Sequence, residues 1–189
     1  TKVDTSSVSK GGIIHMTKEM LQKGILENPE NFFLSRFSVR DFKTDPIPFE
    51  TIKQIIKLAS KSPSVCSRQA WHIYFTCERD LIDEMLSHQN GNKGFGHNVP
   101  CLFVFFSNLA AFDTSSERYQ YWIDGGMFSM SVLLAIHSLG LGACCLNWSK
   151  DPLADIKFKG KFNIRKNHSI IMMMAIGQAN DDFNACYSA

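Results

Sequence analysis

The sequence lacks any long apolar run and any excess of one charge. No stretch reaches the roughly 20 apolar residues that a membrane-spanning helix requires. Lys and Arg number 20 against 18 Asp and Glu, a net charge of +2. So balanced a chain carries no broad basic field, which argues against nucleic acid as a partner. No secretory leader is read at its start, and no membrane association is expected. The six cysteines form no C-x-x-C, and the six histidines do not cluster with them, so no metal site is expected. The cysteines read instead as small buried hydrophobes in a reducing compartment, which predicts a cytoplasmic protein. Internal repeats and low-complexity blocks are absent as well, and no residue after Gly177 is basic.

What is present is apolar material, 44% of 189 residues, enough for the core of a single domain. Residues 1–12, rich in Ser, Lys and Gly, read as a loose arm, and 16–26 as a short helix that Asn28-Pro29 breaks. Residues 1–30 are therefore assigned to an arm and short helix, 31–180 to the main domain and 181–189 to a tail. Ile52, Ile55, Ile56 and Ala59 recur at helical spacing and predict an amphipathic helix over 49–61 that Pro63 ends. Alternation over 71–76 predicts a strand with one buried face, and a short helix follows over 79–88. Residues 89–98, with three Gly and three Asn, read as a mobile loop. The runs 101–106, 143–146 and 170–176 are apolar throughout, the mark of strands covered on both faces. Residues 124–139 are apolar almost all round, so that helix is buried inside the domain or across a subunit interface. Residues 151–156 form a further short helix. Helices alternating with doubly covered strands predict an α+β fold, a three-layer α/β/α sandwich.

Two polar clusters flank the helix at 49–61. Arg36-Phe37-Ser38-Val39-Arg40 precedes it, and Ser62-Pro63-Ser64-Val65-Cys66-Ser67-Arg68-Gln69-Ala70-Trp71-His72 follows it. The second holds hydroxyls, a guanidinium, an amide and a Trp, none of which is needed to turn a chain. In an extended segment, Arg36, Ser38 and Arg40 share one face and can converge on one anion. The same arginines also suit an ordinary solvated surface. A third element, Leu146-Asn147-Trp148, follows a strand; its Trp suits either a cleft or the core. Trp71 and His72 read as structural. Residues 112–122, with Tyr119, Tyr121 and Trp122, read as a cleft wall or as an aromatic patch covered by a partner.

Together these segments resemble the FMN-dependent nitroreductase family, over about residues 31–177. The resemblance rests on Arg36-x-Ser38-x-Arg40 with Phe42, on Ser62-Pro63-Ser64 with Gln69-x-Trp71-His72, and on the buried helix running into Gly140-Leu141-Gly142, Asn147 and Trp148. It implies a mixed central sheet and an obligate homodimer with the flavin between subunits. It implies FMN as cofactor and ping-pong electron transfer from NADH or NADPH to an organic acceptor: a nitroaromatic, a quinone or another small molecule. By position it assigns Arg36 and Ser38 to the phosphate, Arg40 to the N1–O2 edge of the ring, and Pro63, Ser64 and Ser67, from the other subunit, to the ring and ribityl chain. Leu146, Asn147 and Trp148 fall beside the ring N5, where a backbone N–H is needed. No catalytic side chain is called for, because hydride transfer rests on positioning.

The chain departs from the family pattern in four places. Ser67 stands where Asn is usual, which lets Arg68 take over part of that contact. Ala70 stands where Pro is usual, and Trp148 where a small residue is common. The usual Arg or Lys after the last strand is missing. A specialised flavin enzyme on the same fold, or a non-catalytic flavin-binding accessory protein, is the alternative reading.

Overall fold

The structure, a computed structural model, describes residues 15–186 and divides into two compact units, Thr1–Arg36 and Phe37–Ala189. The arm expected over 1–12 and the last residues of the expected tail lie outside the described residues.

The first unit holds two short helices. In α1 (Lys18–Gln22) the Thr17 hydroxyl accepts from the Met20 N–H at 3.3 Å. A second helix, α2 (Pro29–Leu34), begins at the Asn28-Pro29 step read from sequence as a break. Pro29 fits its first turn because the ring presets φ and the missing N–H would be unpaired there anyway. The Asn28 side chain caps it, accepting from the Asn31 N–H at 2.9 Å.

The second unit is a four-stranded sheet in the order β1-β2-β4-β3, with β1 (Trp71–Thr76), β2 (Cys101–Asn108), β3 (Gly142–Asn147) and β4 (His168–Gly177). Each of these pairs is antiparallel. Among the described residues the parallel component is the isolated bridge between Ser38 and Ala143, so the sheet is mixed only through that segment. The central strand β2 explains the layering. Leu102, Val104 and Phe106 point into one apolar cluster with Ile82, Met85 and Leu86 of α4 (Arg79–Ser87) and Phe158 of α6 (Pro152–Lys161). Cys101, Phe103 and Phe105 point into the other, with Ile52 and Ile55 of α3 (Phe49–Ala59) and Phe128, Val132 and Ile136 of α5 (Gln120–Ser138). Successive side chains alternate across a strand, so a run apolar at every position needs helices on both faces. The three layers follow from that.

The helix α5 starts at Gln120, four residues before the expected 124, and α6 extends to Lys161, beyond the expected 156. One face of α5 packs on the sheet, whereas Trp122, Ile123 and Met130 are 42%, 52% and 45% exposed.

Candidate functional site

At the β3 edge, residues 38–43 are zipped into the sheet by backbone hydrogen bonds. The Val39 N–H donates to the Ala143 carbonyl at 3.0 Å, and the Lys43 N–H to the Gln178 carbonyl at 2.9 Å. Asn180 returns its N–H to the Asp41 carbonyl at 3.2 Å, and its side-chain amide donates to the Asp41 carboxylate at 2.5 Å. Glycine is required opposite this segment: a Cβ on Gly142 would lie 2.7 Å from Cγ2 of Val39. Val39 and Phe42 point into the core, leaving Ser38 half-buried and Arg40 exposed.

Arg40 has thiol neighbours and no carboxylate among the described residues. Its Nη1 is 3.7 Å from the Cys186 sulfur. Burial pushes the Cys144 thiol up, and the nearby Arg40 guanidinium partly opposes that push. Arg36 closes the first unit, half-buried and without an ion pair among the described residues. Other arginines are committed: Arg79 grips Asp83 at 2.6 Å, and Arg68 grips Glu117 at 2.9 Å.

The end of β3 supplies the next part. Leu146 is buried, while Asn147 is exposed and donates from Nδ2 to the Ser149 hydroxyl at 2.9 Å. The carbonyl of Asn147 accepts from Nε2 of the buried Gln89 at 3.0 Å. Gln89 in turn accepts from the Gly91 N–H at 2.5 Å, so the start of the 89–98 loop is tied to the strand end. The ring of Trp148 turns away from the surface. It is 8% exposed, packs on Phe158 at 4.9 Å and donates its indole N–H to Asp155 at 2.5 Å. Of the two readings open for Trp148, the core is the one realised for its side chain; only its backbone remains at the strand end.

Residues 62–69, between α3 and β1, form a loop under backbone strain. Cys66, Ser67 and Gln69 have φ of 48°, 52° and 49°, a region that costs about 1–2 kcal/mol for a residue with a Cβ. Side chains hold it there. The Gln69 N–H donates to the Ser64 hydroxyl at 2.9 Å, and Gln69 Nε2 to the Ser60 carbonyl at 3.1 Å. The Val65 N–H donates to both carboxylate oxygens of Asp124, at 3.2 and 3.3 Å. Asp124 is 1% exposed and also accepts from Gln120 at 2.8 Å. Arg68 is spent on the 111–117 segment, donating to the Ala111 carbonyl and to Glu117 at 2.9 Å. The Arg68 hydrogen bond in turn holds the Glu117 carboxyl below its ordinary pKa. The Arg68 guanidinium thus ties the loop to the 111–117 segment. Pro63 and Ser67 are exposed, Ser64 is half-buried, and Trp71 stacks on Phe128 at 4.6 Å.

Asp124 was missed as a site-building residue. Its signal was in the sequence: one carboxylate opening a helix that is otherwise apolar.

The structure brings Ser38, Arg40, Leu146, Asn147 and Trp148 to one edge of the sheet, and Pro63, Ser64 and Ser67 to the other. With the order β1-β2-β4-β3, the two groups stand three strand spacings apart, about 14 Å. The register sets the loop before Trp71 and the strand end at Asn147 at the same end of the sheet. One chain therefore presents two separated groups of candidate residues.

Comparisons with known proteins agree with this architecture. The model of the nitroreductase family matches residues 34–90 and 77–178. A protein of Methanothermobacter thermautotrophicus, provisionally named an NADH dehydrogenase/NAD(P)H nitroreductase, is 26% identical over 133 residues, covering 69% of this chain and 64% of that one. The chain thus spans just under two thirds of that relative's length. A structure from Parabacteroides distasonis with the same provisional name superposes with a TM-score of 0.72 at 20% identity, covering 84% of this chain and 91% of that one. A nitroreductase with bound FMN from Desulfitobacterium hafniense gives a TM-score of 0.66 at 20% identity, with coverages of 87% and 96%.

Proposed function

This chain belongs to the nitroreductase family, and on that premise we propose that it is an FMN-dependent oxidoreductase that uses NADH or NADPH to reduce a small organic acceptor such as a nitroaromatic or a quinone. The observation that carries the proposal is Arg40: an exposed guanidinium beside β3, without a carboxylate partner among the described residues, on the edge that ends at Asn147. A cation so placed suits a ligand that brings its own negative charge. When bound, FMN supplies a two-electron carrier that accepts hydride from a nicotinamide and passes it on.

The residues divide the work. Arg36 and Ser38, by their motif, hold the phosphate. Arg40 sets a positive charge where the N1–O2 edge of the ring lies, which favours the reduced ring. Asn147 and the backbone of Trp148 offer polar groups at a strand end whose position is fixed by Gln89. Pro63, Ser64 and Ser67 come from a second copy of the chain. The Ser64 oxygen accepts from Gln69, which leaves its own hydrogen available to donate. Two observations favour the homodimer: the half-sites lie on opposite edges of the sheet, and Trp122, Ile123 and Met130 form an open apolar face on α5. A cytoplasmic location fits six cysteines none of which is in a disulfide. Among the described residues no helix is long and apolar enough to cross a membrane. With the Trp148 ring in the core, that residue does not narrow the cleft, which favours a general reductase over a specialised enzyme or an accessory protein.

The test is an absorption spectrum of protein purified with added FMN and desalted, then mixed anaerobically with NADH or NADPH. Retained flavin that bleaches within seconds is expected. Retained flavin that stays oxidised would move the assignment to a specialised enzyme, and a colourless protein would sink the proposal. Light scattering in solution is expected to give a dimer mass; a monomer would overturn the split site.

A further inference from the structure

The strand pairing places two cysteines face to face at the end of the sheet away from Asn147 and the loop before Trp71. Thr76 of β1 is opposite Leu102 of β2, so the next pair outward is Cys77 opposite Cys101. Directly opposed residues in an antiparallel pair have Cα atoms about 4.5 or 5.5 Å apart. Either spacing lies within the roughly 4.4–6.8 Å that a disulfide spans. Both side chains lie on the face that carries Phe75 and Phe103, whose rings meet at 5.7 Å two residues back on each strand. Their environments differ: Cys77 is exposed, and Cys101 is fully buried. Interaction with Cys101 draws the Cys77 thiol below its ordinary pKa, while the same interaction and burial push Cys101 well up. The arrangement sets an accessible sulfur against a protected one. In β3, by contrast, Cys144 faces Ala175 and Cys145 faces Met174 across the sheet.

We propose that Cys77 and Cys101 form a modification site, a cross-strand thiol pair that a hydroperoxide converts reversibly to an intramolecular disulfide. The Cys77 thiolate attacks the peroxide, the O–O bond breaks, and the departing oxygen takes a proton and leaves as water or an alcohol. Cys77 is then a sulfenic acid. The Cys101 sulfur attacks the Cys77 sulfur, the S–O bond breaks, and hydroxide leaves as water with the Cys101 proton. Two thiols are oxidised and one hydroperoxide is reduced. The new bond closes a loop over residues 77–101, which contains α4 and Gln89, the side chain that holds the carbonyl of Asn147. Oxidation thereby tethers the segment that borders the end of β3.

The experiment treats the full chain with one equivalent of hydrogen peroxide, caps the remaining thiols with N-ethylmaleimide, digests without reductant and reads the peptides by mass spectrometry. The expected product is a Cys77–Cys101 cross-linked peptide, lighter by two hydrogens, lost on adding dithiothreitol. Closing a loop of this length should raise Tm by roughly 5–10 °C in the oxidised protein. Cys77→Ser is expected to abolish both the cross-link and the Tm rise. Cys101→Ser should leave Cys77 as a sulfenic acid that dimedone traps; should that variant not fold, Cys77→Ser decides alone. Capping of Cys77 without a cross-link, direct conversion of Cys77 to the sulfinic acid, a Cys144–Cys186 link in its place, or a Tm rise that persists in Cys77→Ser would each overturn the proposal.

Discussion

Residues 38–43 and residues 62–69 border opposite edges of one sheet and are fastened by opposite means. The first segment is held by its backbone, through Val39 to Ala143 and through Asp41 and Lys43 to the chain beyond β4. Its side chains at Ser38 and Arg40 are left to the surface. The second is held by side chains: Ser64 and Asp124 grip a backbone in which three non-glycine residues have positive φ, and Arg68 ties it to Ala111 and Glu117. An edge strand already offers a row of unpaired N–H and C=O groups, so a segment laid beside it needs no side-chain help. A loop that leaves a helix for a strand has no such template, and polar side chains must supply one. The contrast predicts where a mutation reads out as lost stability and where as lost ligand.

The largest effect is expected at Asp124. Its carboxylate is buried and accepts from Val65 and Gln120, and hydrogen bonds to charged groups contribute about 1.5–3 kcal/mol each. Asp124→Ala should cost about 3 kcal/mol in urea unfolding and free the 62–69 loop, detected as faster hydrogen exchange at Val65. A loss under about 0.5 kcal/mol would show that the loop does not depend on this clamp.

Acid should act on the frame between the two segments. His168 of β4 is buried, stacks on His72 at 4.4 Å, and has its pKa lowered to about 4 by burial and then by His72, Arg165 and Lys159. Its folded pKa lies below the ordinary value of 6.5, so the neutral form belongs to the folded state. The contribution is full above pH 6.5 and is lost as pH falls from there through about 4. By linkage it amounts to about 2–3 kcal/mol. His168→Gln should flatten the stability profile across that window, and a wild-type profile already flat there would contradict the assignment.

These two residues mark the boundary of what could be read in advance. The sandwich was legible because β2 is apolar at every position from Cys101 to Phe106, and only two covering layers satisfy that pattern. The spacing of Arg36, Ser38 and Arg40 was legible because alternate residues of an extended segment share a face. The fate of Arg68 was not, because its partner Glu117 is 49 residues away. Nor was the direction of Trp148, which depends on Asp155 and Phe158 of a helix that follows it. Asn28-Pro29 carried two physical meanings, helix break and helix start, and the Asn28 cap realises the second. Local pattern reports what a residue suits; the partner that decides among uses comes from the tertiary fold.

At the backbone-held edge the expectation reverses. Arg40 forms no ion pair with a carboxylate among the described residues, so Arg40→Ala should leave the urea midpoint within error. FMN affinity, read by fluorescence titration, should fall by about 10–100-fold, the value of one charge-assisted hydrogen bond of about 1.5–3 kcal/mol. Arg40→Lys should recover part of it, because charge is kept and the planar fork is lost. Unchanged affinity in Arg40→Ala would take the residue out of the flavin site.

The smallest effect tests the side-chain-held loop directly. Ser67 has φ of 52° and an exposed side chain, so it carries the strain of the loop without anchoring it. Glycine removes the Cβ penalty at that φ but adds freedom to the unfolded chain, and the net gain should be under about 1 kcal/mol. Ser67→Gly should therefore raise Tm by about 1–3 °C. If Ser67 of a second copy touches the flavin, the same change removes one neutral hydrogen bond and lowers FMN affinity by about 2–10-fold. Stability and affinity then move in opposite directions at Ser67, whereas only affinity moves at Arg40. A Ser67→Gly protein that is more stable and binds FMN as before would leave the loop's strain without a ligand to account for it, and would confine the flavin contacts of this loop to Pro63 and Ser64.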